Sequence, residues 1–118
     1  NKLYSPKITV SKETVQNMQK DKSRSNAIEV INNNFFQGIM SPSWYSDIDL
    51  WFKKYTFDEE VMIALFRYCF NRSALHRNYI QTVADSWHKN NIKTFNDLYI
   101  WIIYSPIMKF INIFFRSY

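Results

Sequence analysis

Aromatic residues at a regular spacing, with cationic residues on both sides, form the part of this sequence most suited to chemistry. Tyr79, Val83 and Trp87 recur every four residues, so on a helix they line one face. Tyrosine and tryptophan rings can stack on nucleic-acid bases, and Arg and Lys can neutralise phosphates. The pattern therefore favours binding of a nucleic-acid strand. The cations that bracket the segment are Arg72, Arg77, Lys89 and Lys93.

The same residues also fit a structural role. Large rings at helical spacing are usually packed inside a protein, which would bury Val83 and Trp87. The Tyr79 hydroxyl must reach a partner or water, so its ring suits either place. Each cation could equally be an ordinary exposed charge. Two interpretations stay open: direct stacking on bases, or an aromatic core that shapes a basic surface.

The aromatic segment is predicted to be one helix with a defined end. Asn90 or Asn91 should close it, because Asn tolerates the left-handed conformation, and Ile92 can then fold back onto the last turn. Thr94 begins the next helix, with Asp97 completing an approximate capping box.

Composition favours one all-α domain. A chain of 118 residues can bury a core without disulfides, and it is 47% hydrophobic and 19% aromatic. It contains one glycine, whereas strands joined by tight turns need more. We predict a compact bundle of about five to six helices.

Charge divides the chain into three parts. Residues 1–25 carry six Lys or Arg and two acids, residues 26–60 carry two and six, and residues 61–118 carry seven and two. The sums are +4, −4 and +5. A basic C-terminal half suggests an acidic partner, of which nucleic acid is the commonest. A solvated basic face without a partner is the alternative.

The helices before the aromatic segment are predicted from their ends. The first should run from Asn26 to about Phe36 and close at Gly38. Ser41 followed by proline should begin the second, and Asp58 should cap a third that is apolar nearly all round and therefore central. The inward residues of the second helix are Trp44, Ile48, Trp51, Phe52 and Tyr55.

Both termini differ in character from this centre. Residues 1–25 lack a sustained apolar period, so we predict a flexible basic tail or linker, with local docking of its few apolar residues as the alternative. Residues 98–118 form an apolar extension that reads as two short helices, the second starting at Ser105. A membrane span needs roughly 20 uninterrupted apolar residues, so packing on the core or on a second copy is favoured.

Enzymatic and metal chemistry find little support. One glycine cannot form a phosphate-binding loop, and His76 and His88 lie far apart with only Asp85 near the second. Cys69 lies in the most apolar helix, so we expect a buried structural thiol. A lone cysteine also suits a reducing compartment, and we expect a cytoplasmic protein without enzymatic activity, cofactor or metal.

Several motifs of the sequence resemble those of a known family. The run Asn-Tyr-Ile-x-x-Val-x-x-x-Trp, followed by polar residues and Ile-Lys-Thr, resembles the signature of the DnaD-like replication-initiation domain. Residues 35–42 and 55–65 resemble the same family's entries to its second and third helices. The resemblance covers about residues 26–97. Trp44 departs from it, because an acid usually completes the second helix's capping box; this end would then be held by aromatic packing.

The resemblance implies an activity and partners. The family's helical module occurs in the primosome proteins DnaD and DnaB of low-GC Gram-positive bacteria and in phage replisome organisers. It implies DNA binding, stronger to single strands and without marked sequence preference, together with self-association and helicase loading. An interaction module that binds a helicase loader, another initiation protein or a second copy, without touching DNA, is the alternative.

Overall fold

The computed structural model describes residues 11–103, and this part of the chain consists of five helices without a strand. The all-α prediction is confirmed. Residues 1–10 and 104–118, which include the second predicted C-terminal helix, lie outside the described range. The helices are α1 (Lys12–Phe35), α2 (Pro42–Tyr55), α3 (Glu59–Asn71), α4 (Arg77–Lys89) and α5 (residues 95–103).

The predicted start of the first helix at Asn26 is wrong, because α1 begins at Lys12. The Ser11 hydroxyl caps it by accepting a hydrogen bond from the Thr14 backbone N–H at 3.1 Å. Residues 11–22 are exposed, and a 3.2 Å hydrogen bond from the Ser23 hydroxyl to Glu59 then joins α1 to α3. Once its packed half is formed, a helix can extend through good helix-forming residues without an apolar face.

Helix α3 lies at the centre of the domain, as its apolar sequence predicts. Its inward side packs mainly against α1 and also against α4. The remaining core comes from every other helix and from the loops that join them. The buried residues of α3 are Val61, Met62, Leu65, Phe66 and Cys69.

Aromatic packing holds the start of α2. The Ser41 side chain makes no capping hydrogen bond, while Pro42 occupies the first helical position. The ring centroid of Trp44 lies 5.1 Å from that of Phe36 and 6.0 Å from that of Phe66. The aromatic contact thus replaces the side-chain cap, as the sequence indicates.

The connection from α4 to α5 has the predicted form. Asn91 adopts a left-handed conformation with φ of 60°. The buried Ile92 folds back, and its N–H donates to the Trp87 carbonyl at 3.0 Å. Thr94 and Asp97 form the reciprocal capping box, in which each backbone N–H donates to the other's side chain.

Removal of the α3 cap should destabilise the domain measurably. The Asp58 carboxylate accepts a hydrogen bond from the Val61 N–H at 3.1 Å, so we expect Asp58→Ala to lower the free energy of unfolding by about 1 kcal/mol. Chemical denaturation measures this. Asp49→Ala is the matched control: it removes the same charge but breaks only the exposed ion pair with Lys53, worth at most about 0.5 kcal/mol. Equal losses would contradict the capping role.

The α5 cap should give the stability a pH dependence. Backbone hydrogen bonds from Lys93 and Thr94, followed by the Thr94 hydroxyl, lower the pKa of the Asp97 carboxyl. Because the pKa of Asp97 is lower in the folded state than in the unfolded state, its ionised carboxylate stabilises the fold at pH values above the unfolded-state pKa, which is about 3.9. This stabilisation is lost as the pH falls through the folded-state pKa. We therefore expect the stability difference between the wild type and Asp97→Asn to shrink below about pH 4. A difference that stays constant down to acidic pH would contradict this assignment.

Candidate nucleic-acid interface

The buried line of α4 is rotated slightly from the aromatic stripe seen in the sequence. Ile80, Ala84 and Trp87 are the buried residues of this helix. Tyr79 and Val83 are half-buried beside them and pack against the edge of the core. The stripe of Tyr79, Val83 and Trp87 therefore joins α4 to the bundle. Of its two aromatic rings, that of Tyr79 is the one partly exposed at the surface.

Trp87 is a core residue. Its side chain is only 3% exposed, and its ring centroid lies 6.0 Å from that of Tyr68 and 6.3 Å from that of Trp101. These contacts place it between α3 and α5. The prediction that Trp87 offers a ring for base stacking does not fit this burial, whereas the alternative of a packed core ring does.

The cations at the N-terminal end of α4 are held by neighbouring side chains. Arg77 donates hydrogen bonds to the Asp47 carboxylate and to the Ser43 hydroxyl. Its guanidinium also lies 4.7 Å from the centre of the Trp44 ring. Because a carboxylate already neutralises Arg77, this residue is a poor phosphate ligand in the present arrangement.

Arg72 lies before α4 and contacts an aromatic ring. Its guanidinium carbon is 4.5 Å from the centre of the Tyr68 ring, which in turn packs on Trp87. The residue itself is exposed. Arg72 therefore keeps a solvent-facing charge, but on a part of the surface set by α3 rather than by α4.

A second group of cations gathers where α4 and α2 end. Lys89 is exposed in the last turn of α4. The Lys93 ammonium lies 3.0 Å from the Thr56 hydroxyl, 3.4 Å from the Tyr55 carbonyl and 3.4 Å from His88 Nδ1. The Lys54 ammonium lies 5.1 Å from the centre of the Tyr55 ring. We call Lys54, His88, Lys89 and Lys93 the C-terminal basic cluster.

Helix dipoles explain part of this arrangement. Cations are stabilised near the C-termini of helices, and the cluster lies at two such ends. Lys93 has three donors, and its three neighbours can accept all of them, so its main role is to hold the left-handed Thr56 turn against α4. Lys54 and Lys89 are exposed and are the members best placed to meet an anion.

Two carboxylates adjoin the cluster, that of Asp97, which accepts a hydrogen bond from the Lys93 backbone N–H, and that of Asp85. Asp85 accepts a hydrogen bond from the Tyr55 hydroxyl. Burial, followed by this hydrogen bond and the charge of Asp85, raises the pKa of Tyr55 well above its usual range. The phenol therefore remains a neutral donor that occupies one oxygen of the carboxylate, and the negative charge of Asp85 stays beside the cluster.

Comparison with known proteins identifies a family for this chain. The family model DnaB_2, described as replication initiation and membrane attachment, matches residues 28–99. The chain belongs to the DnaB_2 family. This is a DnaD-like family, so the resemblance deduced from the sequence is confirmed, and its matched range agrees closely with the predicted one. No curated protein and no solved structure matches the chain.

Membership of the DnaB_2 family implies a role in replication initiation. The family description also names membrane attachment. Within residues 11–103, no helix combines the length and the apolar character that crossing a membrane would require. The same part of the DnaB_2 domain contains no group of three or more His, Cys, Asp or Glu side chains that could hold a metal ion.

The DnaB_2 domain also contains the predicted buried cysteine. Cys69 is fully buried in α3, and burial raises the pKa of its thiol to about 11, against a smaller opposite effect of Arg72. The thiol therefore stays protonated at neutral pH, as expected for a structural residue.

The sequence prediction missed two members of the basic cluster in the DnaB_2 domain. Lys54 was not among the predicted cations, and His88 was considered only as a weak metal ligand. The pair Lys53 and Lys54 in the last turn of α2 was the available signal, because basic residues favour helix C-termini. Its position beside α4 depends on a tertiary contact that periodicity does not report.

Two leucine substitutions should separate packing from base stacking. We expect Trp87→Leu to lower the free energy of unfolding by about 2–3 kcal/mol and to leave the affinity of the folded protein for single-stranded DNA unchanged. Tyr79→Leu removes a half-buried ring, so it should lower the free energy of unfolding by less. If this ring stacks on a base, the same substitution should weaken binding of single-stranded DNA by about 1–3 kcal/mol. Denaturation and oligonucleotide titration measure these effects. A larger affinity loss for Trp87→Leu than for Tyr79→Leu would contradict the core assignment.

Proposed function

We propose that this domain is a non-catalytic DNA-binding module of a replication-initiation protein, which binds single strands preferentially and without strong sequence preference. Two things support the proposal: membership of a replication-initiation family, and an exposed basic cluster on one side of the domain. The chemistry needed is charge neutralisation of phosphates, which requires neither a cofactor nor a catalytic group.

The observation that carries the proposal is the contrast between the two ends of α4. At the N-terminal end, Arg77 is bound to Asp47. At the C-terminal end, Lys89 is exposed, and α2 adds the exposed Lys54, which contacts the Tyr55 ring that also packs against His88 of α4. The proposed path of the strand therefore crosses the ends of α2 and α4 and does not use Arg77 at the start of α4.

Weak sequence preference follows from the residue types in this proposal. A lysine ammonium is a point charge on a flexible stem and carries no base-specific geometry. Tyr79 lies ten residues before Lys89, or about 15 Å along the helix, so one strand of a few nucleotides could meet both. Stacking on such a ring tolerates every base and needs an unpaired one, which favours single strands.

Charge reversal in the cluster tests the proposed function. We expect the double variant Lys54→Glu with Lys89→Glu to weaken binding of a fluorescent single-stranded oligonucleotide at least tenfold near physiological salt. The slope of log affinity against log salt should also become shallower by about 1.4 if each lysine contacts one phosphate. Titrations at several salt concentrations, with single-stranded and duplex DNA, measure the affinity, the slope and the strand preference.

The matched control is Lys12→Glu with Lys22→Glu, which changes the net charge equally on the exposed turns of α1. These substitutions should leave the slope nearly unchanged. Equal losses in the two double variants would argue for non-localised attraction, and a wild-type chain that fails to bind any oligonucleotide would overturn the proposal.

A second candidate function is an interaction module that binds another replication protein, such as a helicase loader, or a second copy. The observation that favours it is the apolar surface of α5, where five large side chains are at least 41% exposed. Absence of DNA binding together with concentration-dependent assembly would favour this function over the first. The exposed residues are Phe95, Tyr99, Ile100, Ile102 and Ile103.

A further inference from the structure

A pocket lies where α4 ends and α5 packs beside it, next to the C-terminal basic cluster. Its volume is about 370 Å³. This is near the lower end of the range for ligand sites, so the pocket suits a single ring system rather than a long chain. The residues that line it are Asn90, Asn91, Ile92, Asp97, Ile100 and Trp101.

The apolar part of the pocket includes an aromatic ring in a fixed position. Trp101 is half-buried, and its ring centroid lies 6.3 Å from that of the core residue Trp87. Ile92 is buried, and Ile100 is 45% exposed. A flat aromatic group that enters the pocket would cover this apolar surface and could stack on Trp101.

The polar part of the pocket mainly offers hydrogen-bond acceptors. The Asn90 amide nitrogen donates to the Ser86 carbonyl at 2.8 Å, which leaves the side-chain oxygen to accept. Asp97 Oδ2 accepts from the backbone N–H groups of Lys93 and Thr94 at 3.2 and 3.1 Å. A carboxylate has about four acceptor sites, so Asp97 can accept further hydrogen bonds from a ligand. Its lowered pKa keeps it ionised, and therefore without a donor, at neutral pH.

Asn91 adds a side chain that can both donate and accept. Its left-handed backbone turns the chain from α4 back towards the core, and the residue is exposed beside the pocket. The pocket thus combines an aromatic ring, acceptors at Asn90 and Asp97, and one amide of both kinds.

An unpaired nucleobase with an exocyclic amino group matches this combination. The amino groups of cytosine and adenine are donors, whereas thymine presents an oxygen acceptor at the corresponding position. A carboxylate such as that of Asp97 can accept from the amino group of cytosine, but it would meet the thymine oxygen acceptor to acceptor. Stacking on Trp101 requires a base outside a duplex, which only a single strand supplies freely.

The charges around the pocket indicate where the phosphates of such a strand would lie. Lys89 is exposed and directly precedes Asn90, so their Cα atoms are about 3.8 Å apart. The negative charge of Asp97 disfavours an anion inside the pocket itself. Phosphates therefore fit the lysines outside, and an uncharged ring fits the pocket.

We propose that this pocket holds one unpaired base of the bound strand, with Trp101 against the ring and Asp97 and Asn91 at the amino-bearing edge. This inference rests on the proposed function and adds a base contact to the phosphate contacts of Lys54 and Lys89. It gives the domain a preference for cytosine or adenine over thymine at one nucleotide. The other nucleotides are bound by charge or by stacking, which discriminate little, so the overall sequence preference stays weak.

Strands with and without bases test the contact with Trp101. An oligonucleotide made of abasic sites keeps the phosphates of oligo-dC but has no ring to stack, so we expect the full chain to bind it about tenfold more weakly. Trp101→Leu should weaken binding of oligo-dC about fivefold and leave the affinity for the abasic strand unchanged. Trp101→Phe keeps a ring and should retain most of the difference. Fluorescence anisotropy titrations measure the affinities, after thermal denaturation has shown that each variant is folded.

The ratio of the affinities for oligo-dC and oligo-dT tests the polar edge. The two strands differ in flexibility, but they are the same strands for every variant, so a change in the ratio reports on the pocket. We expect Asp97→Asn to lower the dC-to-dT ratio about fivefold, because an amide can donate to the thymine oxygen and a carboxylate cannot. Asn91→Gly, which the left-handed backbone accepts without strain, should weaken binding of oligo-dC and spare the abasic strand.

The matched control is Asp21→Asn, which removes the same charge on the exposed part of α1 and should leave the ratio unchanged. A chain that binds the abasic strand as tightly as oligo-dC would overturn the base pocket while leaving binding through phosphates intact. The same holds for an Asp97→Asn variant with an unaltered ratio. A chain that binds none of these strands would overturn the proposed function and the base pocket together.

Discussion

Helix α3 needs apolar neighbours on most of its circumference, and the other helices are arranged to meet this requirement. Val61, Met62, Leu65, Phe66 and Cys69 are buried on it, so exposure of any large part of this helix would return substantial apolar area to water. Among α1, α2 and α4, helix α1 packs against α3 most extensively, and α4 follows. The aromatic rings around the ends of α2 and α4 cover more of the apolar surface of α3. The surface available for binding is therefore what the other helices leave facing outward after they have covered α3.

Local chemistry explains why much of this fold was predictable. Capping residues act over three or four positions, and the sequence predicted the Asp58 cap, the Thr94 and Asp97 pair and the left-handed Asn91 correctly. The start of α1 was not predictable from apolar periodicity, because residues 11–22 are exposed and have none. Their helical state depends on extension from a packed segment and on the Ser11 cap, neither of which a search for an apolar face detects.

The candidate site was less predictable, because it depends on contacts between residues far apart in the sequence. Arg77 and Asp47 are thirty residues apart, and nothing in their local patterns indicates that they pair. Lys54 and His88 meet at the Tyr55 ring only because α2 and α4 end side by side. Likewise, spacing alone placed Tyr79, Val83 and Trp87 on one face but could not say which ring would be enclosed by Phe57, Tyr68 and Trp101. The residue types indicated the chemistry, whereas the tertiary fold determined which residues remain available for it.

The enclosed thiol of α3 has a practical consequence. Cys69 is the single cysteine in the sequence, it has no exposed surface, and its pKa is about 11. Maleimides and oxidants act on accessible thiolates, so the native protein should be nearly inert to them. A fluorophore or spin label could therefore be attached at one introduced cysteine without first mutating the natural one. Any assembly of the folded wild-type chain should also persist in reducing agent, since no disulfide can link two such enclosed sulfurs.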